Sequence, residues 1–332
     1  MDQFVRQNIA EIDEIPWEEK VEVIDLPAAE RAIYLELEHH LRALDMTIKR
    51  GRKTESDREK RLAKALGESA TAEEALLKRC SHFDLDVTDE ENAMKACEVI
   101  VKERTNQLEE CKRELLAKLE EALKLEKKVG KSAGVSAFAE YAGVCRQQGV
   151  GDKESSQMVV ELLEEAGVER TSGNSKQLDA KAKVAQQEKF RELPSAVKDQ
   201  IWELREQTHN LRRLTKELVG RVRSLRYFTV VRDLQKQAEE PPSVSCPRCG
   251  NQSVPIEDIA VLSSCGHMGC LTCVTSCAER EECVYTESGV CNAAARVLNI
   301  VKGSTLGIDD EARDGRGRHF GMKLERVVDL IK

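Results

Sequence analysis

The chain has 332 residues, of which 34% are charged and only 4% aromatic, with a formal net charge of -8. That composition suits long helices better than one large globular core, and the acidic balance excludes a uniformly basic nucleic-acid surface. No run of about 18 apolar residues occurs, and the Met-Asp-Gln start lacks the charged and apolar regions of a signal peptide, so the expectation is a soluble, intracellular protein with no membrane partner.

In chain order, Val21-Glu22-Val23-Ile24 alternates as a short strand does. Pro27 then stands at a helix start, and Ile33, Leu37, Leu41 and Leu44 recur at helical spacing. Residues 47–62 are polar and charge-dense, as in a loop or a solvated helix. From Glu91 to about Lys128 the series Met94, Cys97, Val101, Leu108, Cys111, Leu115, Leu119 and Ala122 holds one face with no internal Gly or Pro, predicting a helix roughly 55 Å long. Gly130-Lys131-Ser132 is no phosphate-binding loop, because Leu125 stands where the first glycine is needed and a helix, not a strand, precedes it. Shorter helices are predicted at Ala137 to Arg146 and Ser155 to Ala166, with a break at residues 170–175.

A second long helix is predicted from Ser195 to about Glu239. Val197, Ile201, Leu204, Leu211, Leu218, Val222 and Leu225 form its seam, completed by Thr208, Thr215 and Thr229. The two stripes suit each other as an antiparallel hairpin, a coiled coil, since the intervening residues are ample to return the chain. The second helix is also basic, with nine Lys or Arg, among them Arg212, Arg213, Lys216, Arg221, Arg223 and Arg226, against four Asp or Glu between Ala196 and Arg232. That is either a solvated outer face or a phosphate-contacting one.

The densest chemistry follows. Cys246-Pro247-Arg248-Cys249, Cys265-Gly266-His267 and Cys270-Leu271-Thr272-Cys273 offer thiolates and an imidazole at zinc-ligand spacing, because a two-residue gap lets both sulfurs reach one ion. Cys283 and Cys291 complete eight ligands for two zinc ions, with Cys277 as a substitute in the last pair. Apolar side chains between residues 240 and 300 are too few for a free-standing core, so metal must supply the balance, and closed tetrahedra exclude hydrolytic chemistry. Cys80, Cys97, Cys111 and Cys145 fall on helical patterns as ordinary apolar positions.

The ligand order resembles a RING finger. The resemblance implies a cross-brace, with Cys246, Cys249, Cys270 and Cys273 on one ion and Cys265, His267, Cys283 and Cys291 on the other. The last pair departs from it, having seven intervening residues where most RING fingers have two. A ligase-competent RING usually carries an apolar residue within its first pair, a proline after the seventh ligand and a basic residue after the last; Arg248, Val284 and Asn292 stand there. Ile256, Leu271 and Val274 remain as apolar contacts for a ubiquitin-conjugating enzyme, and Arg296 as a displaced basic residue.

The ends resemble SWI/SNF-type DNA translocases. Phe4-Val5-Arg6-Gln7-Asn8 and the stretch Val21 to Tyr34 resemble the exit from a first RecA-like lobe, and His319 to Ile331 resembles the helix that opens a second. Some of these motors, linked to repair and chromatin, carry a RING between the lobes, as do helicase-like modules fused to fungal and algal DNA cytosine methyltransferases. The implied organisation is a lobe exit and helix (1–46), a charged loop with short helices (47–90), a helical hairpin (91–240), a RING-like α+β finger (241–300) and a linker leading into the second lobe (301–332). The fold class is mainly α. Motor motifs are missing, so ATP belongs only to a longer nuclear parent acting on double-stranded DNA or chromatin. The rivals are a stand-alone coiled-coil RING ubiquitin ligase and an architectural zinc protein.

Overall fold

A computed structural model describes residues 19–24, 26, 28–43, 69, 71–81, 93–129, 136–169, 191–236, 244–306 and 322–331. Residues 1–18, the charged loop at 47–62, the Gly130-Lys131-Ser132 tripeptide, the break at 170–175 and His319 to Gly321 lie outside them.

The molecule is mainly helical. Helix α1 is Ala28–Ala43, α2 is Ala72–Ser81, α3 is Ala93–Val129, α4 is Ala137–Gln147, α5 is Lys153–Glu165 and α6 is Ser195–Lys236. Two further helices, α7 (Leu271–Ala278) and α8 (Met322–Ile331), follow. Three short antiparallel strands, β1 (Ile259–Leu262), β2 (Met268–Cys270) and β3 (Ile300–Lys302), form one sheet in the order β2-β1-β3.

Helices α3 and α6 run antiparallel. Near their midpoints Cys111 Sγ approaches the Leu214 carbonyl at 3.9 Å, and seven residues further along α6 Arg221 donates to Gln107 Oε1 at 2.7 Å, so the two sequences count in opposite directions. The seam is the one their apolar spacing predicts: Leu108, Cys111, Leu115, Leu119 and Ala122 face Leu204, Leu211, Leu218 and Val222 in one buried cluster. Thr208 and Thr215 also lie in it, their hydroxyls satisfied by the carbonyls four residues back at 2.7 and 2.8 Å. Helices α4 and α5 cap this half, contributing Phe138, Tyr141, Val159 and Leu163. Ser136 and Asp152 start them, each accepting from a backbone N–H three residues on.

Beyond Val222 the pattern changes. Tyr227, Phe228, Val231 and Leu234 are buried, whereas Leu225 and Thr229 are half-buried, because here α6 is covered by both α1 and the cysteine-rich segment. Gly220 is where α1 crosses: a Cβ there would stand 2.8 Å from the Ala43 Cα. A polar node pins the crossing. Arg104 and Arg221, both about 1% exposed, share His40 Nδ1 and Gln107 Oε1, while Arg104 also pairs with Glu36 and Arg221 with Glu217.

One expected element is absent. Val21 and Val23 are 79% and 90% exposed and form no strand, since no neighbouring strand among the described residues takes their hydrogen bonds. Glu22 instead pairs with Arg326 of α8 at 2.8 Å. No helix of the described residues is long and apolar enough to cross a membrane.

Candidate metal centre

The fold carries the ligands on its tightest turns. Strand β1 is buried along its whole length, and the turn after it folds back through hydrogen bonds from Cys265 N and Gly266 N to the Leu262 carbonyl at 3.2 and 2.7 Å. Cys265 and His267 therefore project from one hairpin. Cys270 ends β2 and caps α7, which places Cys273 one helical turn further on the same side. Cys246 and Cys249 sit on a turn closed by bonds from Cys246 N to the Asn251 carbonyl at 2.8 Å and from Gly250 N to the Cys246 carbonyl at 3.0 Å.

The eight side chains converge into two groups, Cys246, Cys249, Cys270 and Cys273 in one, and Cys265, His267, Cys283 and Cys291 in the other, with ligand atoms within 4.8 Å of one another in each. The seven residues between Cys283 and Cys291 do not separate them. A turn held by Thr286 N to the Cys283 carbonyl and Gly289 N to the Thr286 carbonyl, both 3.0 Å, loops that length outwards and returns Cys291 to the group. Cys277 is in neither group: it is buried in α7, with Arg280 Nη2 at 3.8 Å from its sulfur.

Spacing within the groups fits a tetrahedral ion. Four sulfurs at about 2.3 Å from zinc lie about 3.8 Å apart, and a sulfur and an imidazole nitrogen about 3.6 Å apart. Cys249 and Cys270 sulfurs are 3.9 Å apart, Cys265 and Cys283 sulfurs 3.7 Å, and Cys283 Sγ lies 3.5 Å from His267 Nδ1. Both groups could hold a metal ion of the zinc type.

Electrostatics point the same way. Burial raises the Cys246 thiol, but N–H groups of Cys249, Cys270 and Arg248 bonded to its sulfur bring it down to about 6. Cys291 is driven strongly down by the Cys265 and Cys283 thiols that donate to it, and Cys283 is driven strongly up by its bonds to Cys265 and Cys291. Thiols packed this closely cannot all ionise without a cation among them.

The module is docked, not free-standing. Gly266 lies directly on α6, where an added Cβ would meet Tyr227 N at 2.4 Å, and its φ of +75° is one that other residues adopt at a cost. Arg226 donates to the Cys265 carbonyl at 2.9 Å and pairs with Asp152 at 3.1 Å and Glu154, tying the knuckle to the start of α5. Ile259, Val261, Val301 and Leu306 join the cluster that includes Tyr227, Phe228 and Val231. The scarcity of apolar residues in the segment is thus made up in part by the helices.

Docking also changes the reading of the basic helix. Arg221 is buried, Arg223 lies 3.5 Å from Asp152 and donates to Asn292 Oδ1 at 3.1 Å, and Arg226 is engaged as above, so these three are structural; Arg212, Arg213 and Lys216 are exposed. Val274 is fully buried and is not an available apolar contact, whereas Ile256 and Leu271 are half-buried. Arg248 is paired with Glu287 at 2.7 Å and Arg296 with Glu281 at 3.3 Å. Tyr285, whose ring lies 4.7 Å from that of His267, and Arg226 are the supporting residues that ligand spacing alone does not reveal.

Fold and site together define a helical scaffold bearing a Cys/His module with two potential metal centres. No family model matches the chain. Over 354 residues it is 41% identical to the DNA (cytosine-5-)-methyltransferase DMT5 of Cryptococcus neoformans var. grubii, an alignment covering 99% of this chain and 14% of that protein. The chain therefore corresponds to a small part of that relative.

Proposed function

We propose that this chain is the zinc-stabilised segment between the two lobes of a SWI/SNF-type motor within a nuclear DNA cytosine-5 methyltransferase. The observation that carries the reading is the 41% identity through 99% of the chain to a DNA methyltransferase. The end segments that resemble RecA-like lobe boundaries support the motor half, with residues 91–240 as the helical insertion and 241–300 as a RING-like finger of two zinc ions. The parent would act on double-stranded DNA and use ATP at sites outside these residues. The chain's own part is mechanical: α3 and α6 form a stiff hairpin, and the metal-bound module fixes α1 and the distal half of α6 against each other.

The geometry gives less support to a ubiquitin-ligase scaffold. Val274 is buried, Arg248 is spoken for by Glu287, and Asn292 is bonded to α6. The α3–α6 seam is filled within one chain, which removes the reason for the dimer that a stand-alone coiled-coil ligase would use. The test is made on the full-length parent, by measuring methyl transfer to duplex DNA, DNA-stimulated ATP hydrolysis and ubiquitin transfer with a panel of conjugating enzymes. Methyl transfer with DNA-stimulated ATP hydrolysis is expected. A parent that methylates DNA without hydrolysing ATP would overturn the motor half, and absence of methyl transfer would overturn the whole.

A further inference from the structure

A cavity of about 750 Å³ that the metal module does not use lies where α1, α4, α6 and the cysteine-rich segment meet. Three of its cations come from one stripe of α6. Arg212, Lys216 and Arg223 recur at helical spacing and line it, with Arg42 of α1 opposite. Arg42 and Arg223 are paired with Glu38 and Asp152, but among the described residues no carboxylate pairs with Arg212 or Lys216. The Arg212 charge is felt by Tyr141 and Cys145 on the cavity wall.

Val144, Val150, Val219 and Ala293 give the wall its apolar part, beside Thr215, Ser263, Ser264 and Asn292. Volume, apolar walls and a few converging polar groups are the features of a small-molecule site.

We infer that this cavity binds a small organic anion, its phosphate or carboxylate head held by Arg212 and Lys216 and its body placed against the apolar part of the wall. Inorganic phosphate lacks the body and should bind weakly. A nucleic-acid backbone would use the cations but leave the apolar walls unoccupied.

Calorimetric titration of the full zinc-loaded chain with phenyl phosphate, adenosine 5′-monophosphate, phenylacetate and inorganic phosphate tests this, the first three separating phosphate from carboxylate heads. At least one organic anion should saturate a single site about tenfold more tightly than inorganic phosphate, and the R212A/K216A double variant should lose about tenfold in affinity, as removal of charge-assisted hydrogen bonds does. Ala294, exposed at the rim, gives an independent test: A294W should block binding while leaving both cations in place. No saturable binding of any organic anion, or binding that survives both variants, would overturn the inference. So would duplex DNA that depends on Arg212 and Lys216 while the organic anions fail to bind.

Discussion

His39 is a residue whose chemistry the fold alters strongly. Burial, then the charges of Arg104 and Arg42, push its pKa down to about 3, and the Ser263 backbone opposes them only weakly. The folded chain therefore keeps it neutral where the unfolded chain protonates it near pH 6.5, so the unfolded state binds more protons as pH falls. Stability is at its full value above about pH 6.5 and declines by about 1.4 kcal/mol per pH unit below it, down to about pH 3. His39→Phe keeps a ring against Tyr227 and Phe228, 5.1 and 5.5 Å away, and removes the proton site. Urea unfolding at pH 7 and pH 5 should show the unaltered chain losing about 2 kcal/mol more than the variant; equal losses would contradict the burial. Metal-ligand titration is common to both proteins and cancels. Gly266 makes the second residue-scale case. An alanine there meets the backbone of Tyr227 and must hold a positive φ, so Gly266→Ala should cost about 2 kcal/mol or more in the same assay. An unchanged midpoint would mean that the cysteine-rich module does not rest on α6.

Among elements, the crossing of α1 over α3 and α6 depends on a buried ionic node. Arg221→Met removes a partner of Glu217 where both are 1% exposed, and should destabilise the chain by about 3–5 kcal/mol, because a buried charge that loses its ion pair keeps its desolvation cost. Arg221→Met with Glu217→Leu should recover most of that loss in denaturant titrations; no recovery would show that the pair contributes net attraction beyond offsetting its own burial. This node also marks how far the sequence could be read. The seam residues Leu108 to Ala122 and Ile201 to Val222 were legible because one stripe faces one partner, so helical period and burial coincide. Past Val222 the period fails, since Tyr227 and Phe228 are buried by different neighbours on different sides. Buried Arg221 read as part of a solvated or phosphate-contacting face for the same reason: its partners His40 and Gln107 lie on other helices. Val21 to Ile24 alternates as a strand, but alternation without a neighbouring strand makes none. Cysteine spacing, by contrast, carried the close ligand pairs, because a turn short enough to bring two sulfurs together is a local property, whereas the sharing of the pairs between two groups came from the RING resemblance and the long Cys283–Cys291 loop needed the three-dimensional path.

For the whole molecule, the question is what metal holds together. The cluster formed by Leu115, Leu119, Phe138, Leu163, Leu211 and Leu218 contains no residue of the cysteine-rich segment, whereas the second cluster mixes Cys246, Ile259 and Val301 with Ala32, Cys97 and Phe228. Stability should divide along that line. Structural zinc contributes about 10–16 kcal/mol in small peptides, far more than the shared apolar contacts of so short a segment can replace. Chelation should therefore unfold residues 244–306 and free α1 and the distal half of α6, while the α3–α6 seam beside α4 and α5 persists. Hydrogen exchange with and without chelator reads this directly: amides of β1 and of residues 227–234 should lose protection, and those of residues 111–122 should keep it. Cys265→Ala with His267→Ala should lower zinc from about two ions per chain to about one, because the ligands of the other group lie on separate turns. Retention of two ions would place those side chains outside the metal site, and uniform loss of protection along α3 would mean that the hairpin has no stability of its own. If the division holds, the hairpin is a lever whose far end is rigid at all times and whose near end, where α1 and the cysteine-rich module meet it, is fixed only while metal is bound.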